Sequence, residues 1–193
     1  MVGERTSNLV RLERTNNLMS GYQIRVFGDP VLKQRAKDVT DIDGALVGVV
    51  NTMVETMYDA SGVGLAAPQV GVQKRLFTYD VGDGPEVVFN PEVAETEGEW
   101  TYEEGCLSIP GFHFEIVRPK LVTITGLDID GNEVTIQGDE LLGRVFLHEL
   151  DHLDGVLMLE RLDPAERKQA MIALRDADLD AAARDRLDDI RRL

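Results

Sequence analysis

The run His148-Glu149-Leu150-Asp151-His152 holds two of the chain's three histidines, with a glutamate directly after the first. On a helix a spacing of four residues advances about 400°, so both imidazoles leave from one side, roughly 6 Å apart. That suits two neighbouring positions on a single metal ion. Glu149, about 100° further round, can reach a water on such an ion without being a ligand. The bland alternative is two polar histidines on a partly buried helix beside a solvated glutamate. Placing two histidines out of three at ligand spacing around a glutamate speaks against it. A tetrahedral catalytic site still needs a third protein ligand and an open position.

Downstream candidates for that ligand fail. The form H-E-x-x-H-x-x-G-x-x-H finds Gly155 but has Met158 where its third histidine belongs. Glu160 and Glu166 lie too close behind His152 to sit on a separate packed helix. Upstream, Glu104-Gly105-Cys106-Leu107-Ser108 carries the only cysteine, which rules out an intramolecular disulfide. Cys106 alone is open to three readings: a buried apolar residue, a nucleophile or a metal ligand. A thiolate binds iron or zinc strongly, and Gly105 lets other groups approach its backbone closely. A third segment, Gly62-Val63-Gly64-Leu65-Ala66-Ala67-Pro68-Gln69-Val70-Gly71, fits the lax dinucleotide pattern G-x-G-x-x-A. That pattern requires a strand before it and a helix after it. Here a helical pattern precedes, and Pro68 interrupts any helix after the glycines, so a nucleotide site is rejected.

The elements that must position these residues show in the hydrophobic period. Leu46, Val49, Val50, Met53 and Met57 form one apolar stripe from Asp43 onward, with Gly62 as the expected C-cap of a helix ending near Ala60 or Ser61. Residues 72–137 change to strands and turns, including 75–81, 86–89 and 120–128, with Asp130-Gly131 as a hairpin turn into 133–136. The helical period returns over 139–154, where Leu141, Leu142, Val145, His148 and His152 lie near one face. Ile24-Arg25-Val26-Phe27 is a short extended piece ending in the turn Gly28-Asp29-Pro30. Residues 1–22 are expected to be a loosely packed arm, 23–163 the catalytic domain, and 164–193 a helical tail of the same domain. Asp163-Pro164 opens that tail, and 176–180 is expected to interrupt it.

The composition sets outer bounds. With 193 residues, 43% apolar and 28% charged, the chain suits one globular domain. A formal charge of −15 repels phosphate backbones, which argues against direct nucleic-acid binding. No apolar run is long enough for a membrane span or a signal peptide, so a cytoplasmic location is expected.

Taken together and in order, G-x-G-L-A-A-x-Q, E-G-C-L-S and H-E-x-x-H make the chain resemble the peptide deformylase family, from about Ile24 to Leu162. The resemblance implies an α+β fold: small antiparallel β-sheets around a central helix carrying the H-E-x-x-H motif, with a C-terminal helix. It implies Cys106, His148 and His152 as ligands of one divalent metal, Fe²⁺ in the cell, which Zn²⁺, Ni²⁺ or Co²⁺ can replace. The implied activity is removal of the formyl group from N-formyl-methionyl nascent peptides. A metal held there lowers the pKa of a water, and Glu149 takes its proton and passes it to the leaving amine. The Gln69 side-chain amide and the Leu107 N–H stabilise the oxyanion. The substrate main chain would pair with Gly64 and Gly105, and its methionine would enter a pocket of Val63, Leu141, Val145 and Tyr102, with the Arg144 stem at the edge. In one departure, Leu147 stands where the family usually has Gln. In another, seven basic and seven acidic residues cancel in the tail, which argues against the transient ribosome association linked to basic C-terminal helices. Two rivals remain: a zinc endopeptidase, which leaves Cys106 unexplained, and a non-enzymatic metal module, which leaves Glu149 without a purpose.

Overall fold

The computed structural model describes the backbone of residues 21–191 and the side chains of 21–177. Most of the expected N-terminal arm therefore lies outside the described residues. Its last residue, Tyr22, is pinned, since its N–H donates to Thr56 Oγ1 at 2.9 Å.

The first helix, α1 (Gly44–Asp59), starts where Asp43 accepts from the Leu46 N–H at 2.8 Å. It buries Leu46, Val50, Met53, Val54 and Met57, as the stripe requires. Its end differs from the expectation. Ser61, not Gly62, takes the left-handed conformation (φ 55°). Two bonds close the helix there, Ser61 N–H to Tyr58 O and Gly62 N–H to Met57 O, each 2.9 Å. This is a Schellman closure with a serine at its left-handed position. Gly62 is glycine for another reason, because a Cβ on it would stand 2.7 Å from Leu107 Cδ1.

Strands β1 (Gly64–Ala66), β2 (Leu76–Tyr79) and β3 (Glu86–Glu97) come next, then a ribbon of β4 (Trp100–Cys106) and β5 (Ile109–Arg118), then β6 (Leu121–Leu127) and β7 (Glu133–Asp139). All pairings are antiparallel. Five strands form one sheet in the order β1-β2-β3-β6-β7, and β4 pairs β5 separately. β1 is thus an end strand, bonded on one side only among the described residues. Helix α2 (Glu140–Leu153) packs on this sheet through Val145, Phe146, Leu150 and Leu153, which join Phe77, Tyr79, Val122 and Ile124. Phe146 is fully buried, and truncating such a residue to alanine typically costs about 3–5 kcal/mol.

The last helix, α3 (Pro164–Arg191), runs without the expected break at 176–180. Aspartate lowers helix propensity by well under about 1 kcal/mol per residue, and the intervening alanine and leucine carry the helix through. Ala170 and Leu174 join Ile109, Ile116, Met158 and Leu159 in a core cluster, which ties the start of the tail to the ribbon. No helix among the described residues is long and apolar enough to cross a membrane.

Candidate active site

Three elements meet at one point. His148 and His152 project from α2 with ring centroids 4.9 Å apart, somewhat closer than ideal helix geometry suggests. Cys106 closes β4 at an irregularity in its pairing with β5. Its Sγ lies 3.2 Å from His152 Nε2, and donor atoms of Cys106, His148 and His152 all fall within 4.8 Å of one another. One soft thiolate and two imidazoles, converging and largely buried, fit a transition-metal ion such as iron or zinc.

The residues behind the triad fit the same ion. Glu104 precedes Cys106 by two positions on β4, so both side chains leave the same face of the strand. Glu104 is 4% exposed. It accepts from Arg118 Nε and Nη2 at 2.7 Å each, from Arg144 Nη1 at 2.8 Å and from His148 Nδ1 at 2.6 Å. With Nδ1 committed to that carboxylate, His148 turns its Nε2 toward the triad. Arg118 continues to Asp151 at 3.0 Å, and Asp151 also accepts from Arg161. A chain of alternating charge, Arg144–Glu104–Arg118–Asp151–Arg161, therefore underlies the site. In the sequence Glu104 stands in the E-G-C-L-S motif with no role evident from it. The available signal was its two-residue spacing from Cys106; Arg118 offers no such signal.

The electrostatics come from burial and these partners. Burial alone would raise the Glu104 carboxyl, but the hydrogen bonds from Arg118 and His148 outweigh it and hold the group far below the carboxylate range. Burial pulls the His148 imidazole down, yet Cys106 and Glu104 more than compensate and hold it well above its usual value. His152 is driven the other way, by burial first and then by His148. Burial lifts Glu149 to about 7, against the pull of His148. Glu149 Oε2 and His152 Nδ1 are buried without a hydrogen-bond partner among the described residues.

Glu149 lies against β1. A Cβ on Gly64 would stand 2.5 Å from Glu149 Oε1 and 3.0 Å from Val145 Cγ1, so only glycine leaves the carboxylate this space. Gln69, 1% exposed, sits in the single turn after β1. Its Oε1 accepts from the Ala66 N–H at 2.8 Å, which fixes the amide. Its Nε2 then faces Ser108 Oγ at 3.2 Å and Cys106 Sγ at 3.9 Å. Leu107 comes directly after Cys106 in the turn between β4 and β5 and packs over Gly62.

Of the expected pocket residues, Val145 is buried, while Val63, Leu141 and Tyr102 are exposed apolar side chains. Tyr102 stacks on Trp100 with centroids 4.6 Å apart. Arg144, whose stem is expected at the pocket edge, has its head group buried. It is 3% exposed, its guanidinium lies 5.1 Å from the Trp100 ring and 5.7 Å from that of Tyr102, and it bonds Glu104 and the Trp100 carbonyl. The third histidine, His113, stays outside the triad and packs against the Gly105 backbone. The helix–strand–turn order around Gly62–Gly71 confirms that no nucleotide-binding strand–turn–helix is present there.

Fold and site define a class, an α+β protein in which one H-E-x-x-H helix and a strand-borne cysteine bring together three donors that could hold a metal ion. The sequence matches the family model described as polypeptide deformylase over residues 22–168. A peptide deformylase of Agathobacter rectalis is 51% identical over 142 residues, covering 74% of this chain and 90% of the relative. The crystal structure of a Legionella pneumophila peptide deformylase superposes with a TM-score of 0.79 at 39% identity, covering 84% of this chain and 98% of that one. A Synechococcus elongatus peptide deformylase, solved in complex with actinonin, gives a TM-score of 0.78 at 37% identity, covering 85% and 91%. The chain belongs to the peptide deformylase family, whose members are metal-dependent enzymes.

Proposed function

We propose that this chain hydrolyses the formyl group from the N-terminal formyl-methionine of nascent polypeptides, with Glu149 as base and acid and with Gln69 and Leu107 as oxyanion donors. The observation that carries the reading is convergence on one triad. The Gln69 N–H₂ points toward Cys106, and Glu149 holds a buried oxygen beside His148 with no partner among the described residues. Cys106, His148 and His152 hold the divalent ion, Fe²⁺ in the cell, with Zn²⁺, Ni²⁺ or Co²⁺ as substitutes. When bound, the ion supplies Lewis acidity toward water and the formyl carbonyl.

The protein's own groups do the rest. Glu149 accepts a proton from the attacking water as its oxygen bonds to the formyl carbon. Gln69 Nε2 and the Leu107 N–H donate to the oxygen on which charge builds. As the C–N bond breaks, Glu149 returns the proton to the leaving amine, and formate and a free N-terminus result. The unpaired edge of β1 at Gly64, with Gly105 opposite, would hold the substrate main chain by sequence-tolerant pairing. Val145 and the exposed Val63, Leu141 and Tyr102 would line the methionine pocket, with Arg144 supporting Tyr102 from beneath. The cytoplasm, where nascent chains are made, is the setting this implies, and the balanced tail gives no basis for ribosome docking.

The test is formate release from formyl-Met-Ala-Ser by anaerobically purified protein of measured metal content, beside an internal-peptide substrate. Actinonin, bound by the Synechococcus relative, is expected to inhibit. Cleavage of the internal peptide without formate release would replace this reading by an endopeptidase.

A further inference from the structure

We infer that the segment over residues 24–27 is a positioning strap, whose backbone N–H groups hold the two turns that present the oxyanion donors. The inference rests on the oxyanion role proposed for Gln69 and Leu107. Gln69 and Leu107 come from separate parts of the fold: Gln69 from the turn after β1 in the five-stranded sheet, Leu107 from the turn of the β4–β5 ribbon. One stretch of chain crosses both. The Arg25 N–H donates to the Gln69 carbonyl at 2.7 Å, and the Phe27 N–H to the Ser108 carbonyl at 2.7 Å. Both bonds lie at the short end of the N–H···O range.

The strap is fastened at each end. Tyr22 N–H bonds Thr56 on α1, and Phe27 packs into the cluster of Ile109 and Cys106. The Arg25 guanidinium lies over Gly71, the left-handed residue (φ 81°) that ends the Gln69 turn, where a Cβ would stand 3.2 Å from it. Backbone bonds at Gln69 and Ser108, with the 3.2 Å bond between their side chains, fix the separation of the two turns. Oxyanion donors need that control, because a displacement of about 1 Å can cost on the order of a hundredfold in rate.

A double-mutant cycle on the full-length metal-loaded protein tests the strap. Arg25→Ala keeps the N–H and is the reference; Arg25→Pro removes it. Relative to that reference, Arg25→Pro is expected to lower kcat by about tenfold, with KM and metal content held. In a Gln69→Ala background the same exchange is expected to cost less than about twofold, because the donor it aligns is gone. Should the proline variant not fold, the alanine variant with the residue-25 amide replaced by an ester removes the same N–H without the ring. Equal rates for Arg25→Ala and its N–H-less counterpart, or equal losses in both backgrounds, overturn the strap alone. Full activity in Gln69→Ala by itself overturns the oxyanion reading and the strap with it.

Discussion

Replacing Glu104 by glutamine keeps the shape of the side chain and removes its charge. In the protein this carboxylate accepts four hydrogen bonds of 2.6–2.8 Å from Arg118, Arg144 and His148. The side chains of Glu104, Arg118 and Arg144 are each 4–5% exposed, so water cannot take over the lost bonds. The new amide also turns two N–H groups toward partners that are themselves donors. Removing one member of a buried ion pair typically costs about 3–5 kcal/mol. Arg118 keeps Asp151 at 3.0 Å, which places Glu104→Gln at the lower end, about 3 kcal/mol. For a chain of this size that is a fall in Tm of about 6–12 °C. His148 also loses the partner that fixes its tautomer, and outer groups of this kind are worth roughly 10- to 100-fold in metal affinity. Thermal unfolding of metal-free and metal-loaded protein, with a chelator competition titration, measures both effects. A Tm within about 2 °C of wild type together with an affinity within about threefold would refute the reasoning. A lowered Tm with unchanged affinity would leave Glu104 structural only.

Cys106→Ala is expected to lose most of its metal, and stoichiometric metal by elemental analysis would remove Cys106 from the ligand set. Glu149→Ala is expected to keep its metal and lose roughly 10²–10⁴ in kcat; a fall merely proportional to lost metal would make Glu149 structural. Gly64→Ala puts a methyl where Glu149 Oε1 now sits 2.5 Å away, so kcat should fall by on the order of a hundredfold at matched metal content, and normal turnover would show that the carboxylate need not stay there. Leu147→Gln is expected to change kcat/KM on formyl-Met peptides by less than about tenfold, or about 1.4 kcal/mol, with a larger gain marking a poorly oriented site.

Legibility in the sequence tracked the range of the forces involved. The α1 stripe and the His148–His152 spacing are local, helical and strongly periodic, and both reappear in the structure with small shifts. Cys106 on its own is open to three readings, and only the family resemblance carried by its motif points to it as a ligand. Its distance from α2 is set by strand pairing, which no local pattern encodes. Strand β4 carries glutamates at 103 and 104 and little continuous apolar face, so it shows no clear period of two, whereas β5 does alternate, with Phe112, Phe114 and Ile116 facing one core cluster. β1 is three residues long and carries no period at all. The Ser61 closure of α1 was hidden because a glycine stood one residue on, kept there to admit Leu107. Arg118 and Asp151 were silent because their role exists only once β5 and α2 are packed together.

That same network explains how the chain accommodates leucine at 147. On α2, residue 147 lies one turn before Asp151, so a side chain there points to the rear of the helix, away from His148. It packs against the cluster of Phe77, Phe146 and Ile124 and lines a cleft of about 540 Å³ with Arg118, Asp151 and Arg161. An amide at this position could serve Asp151 or Arg118, but both already have partners. Asp151 accepts from Arg118 and twice from Arg161, while Arg118 also donates from Nε and Nη2 to Glu104. His148 takes its orientation from Glu104 on β4. An apolar residue at 147 therefore deprives neither Asp151 nor Arg118 of a partner, and the ring proposed to bind metal keeps the carboxylate that holds it.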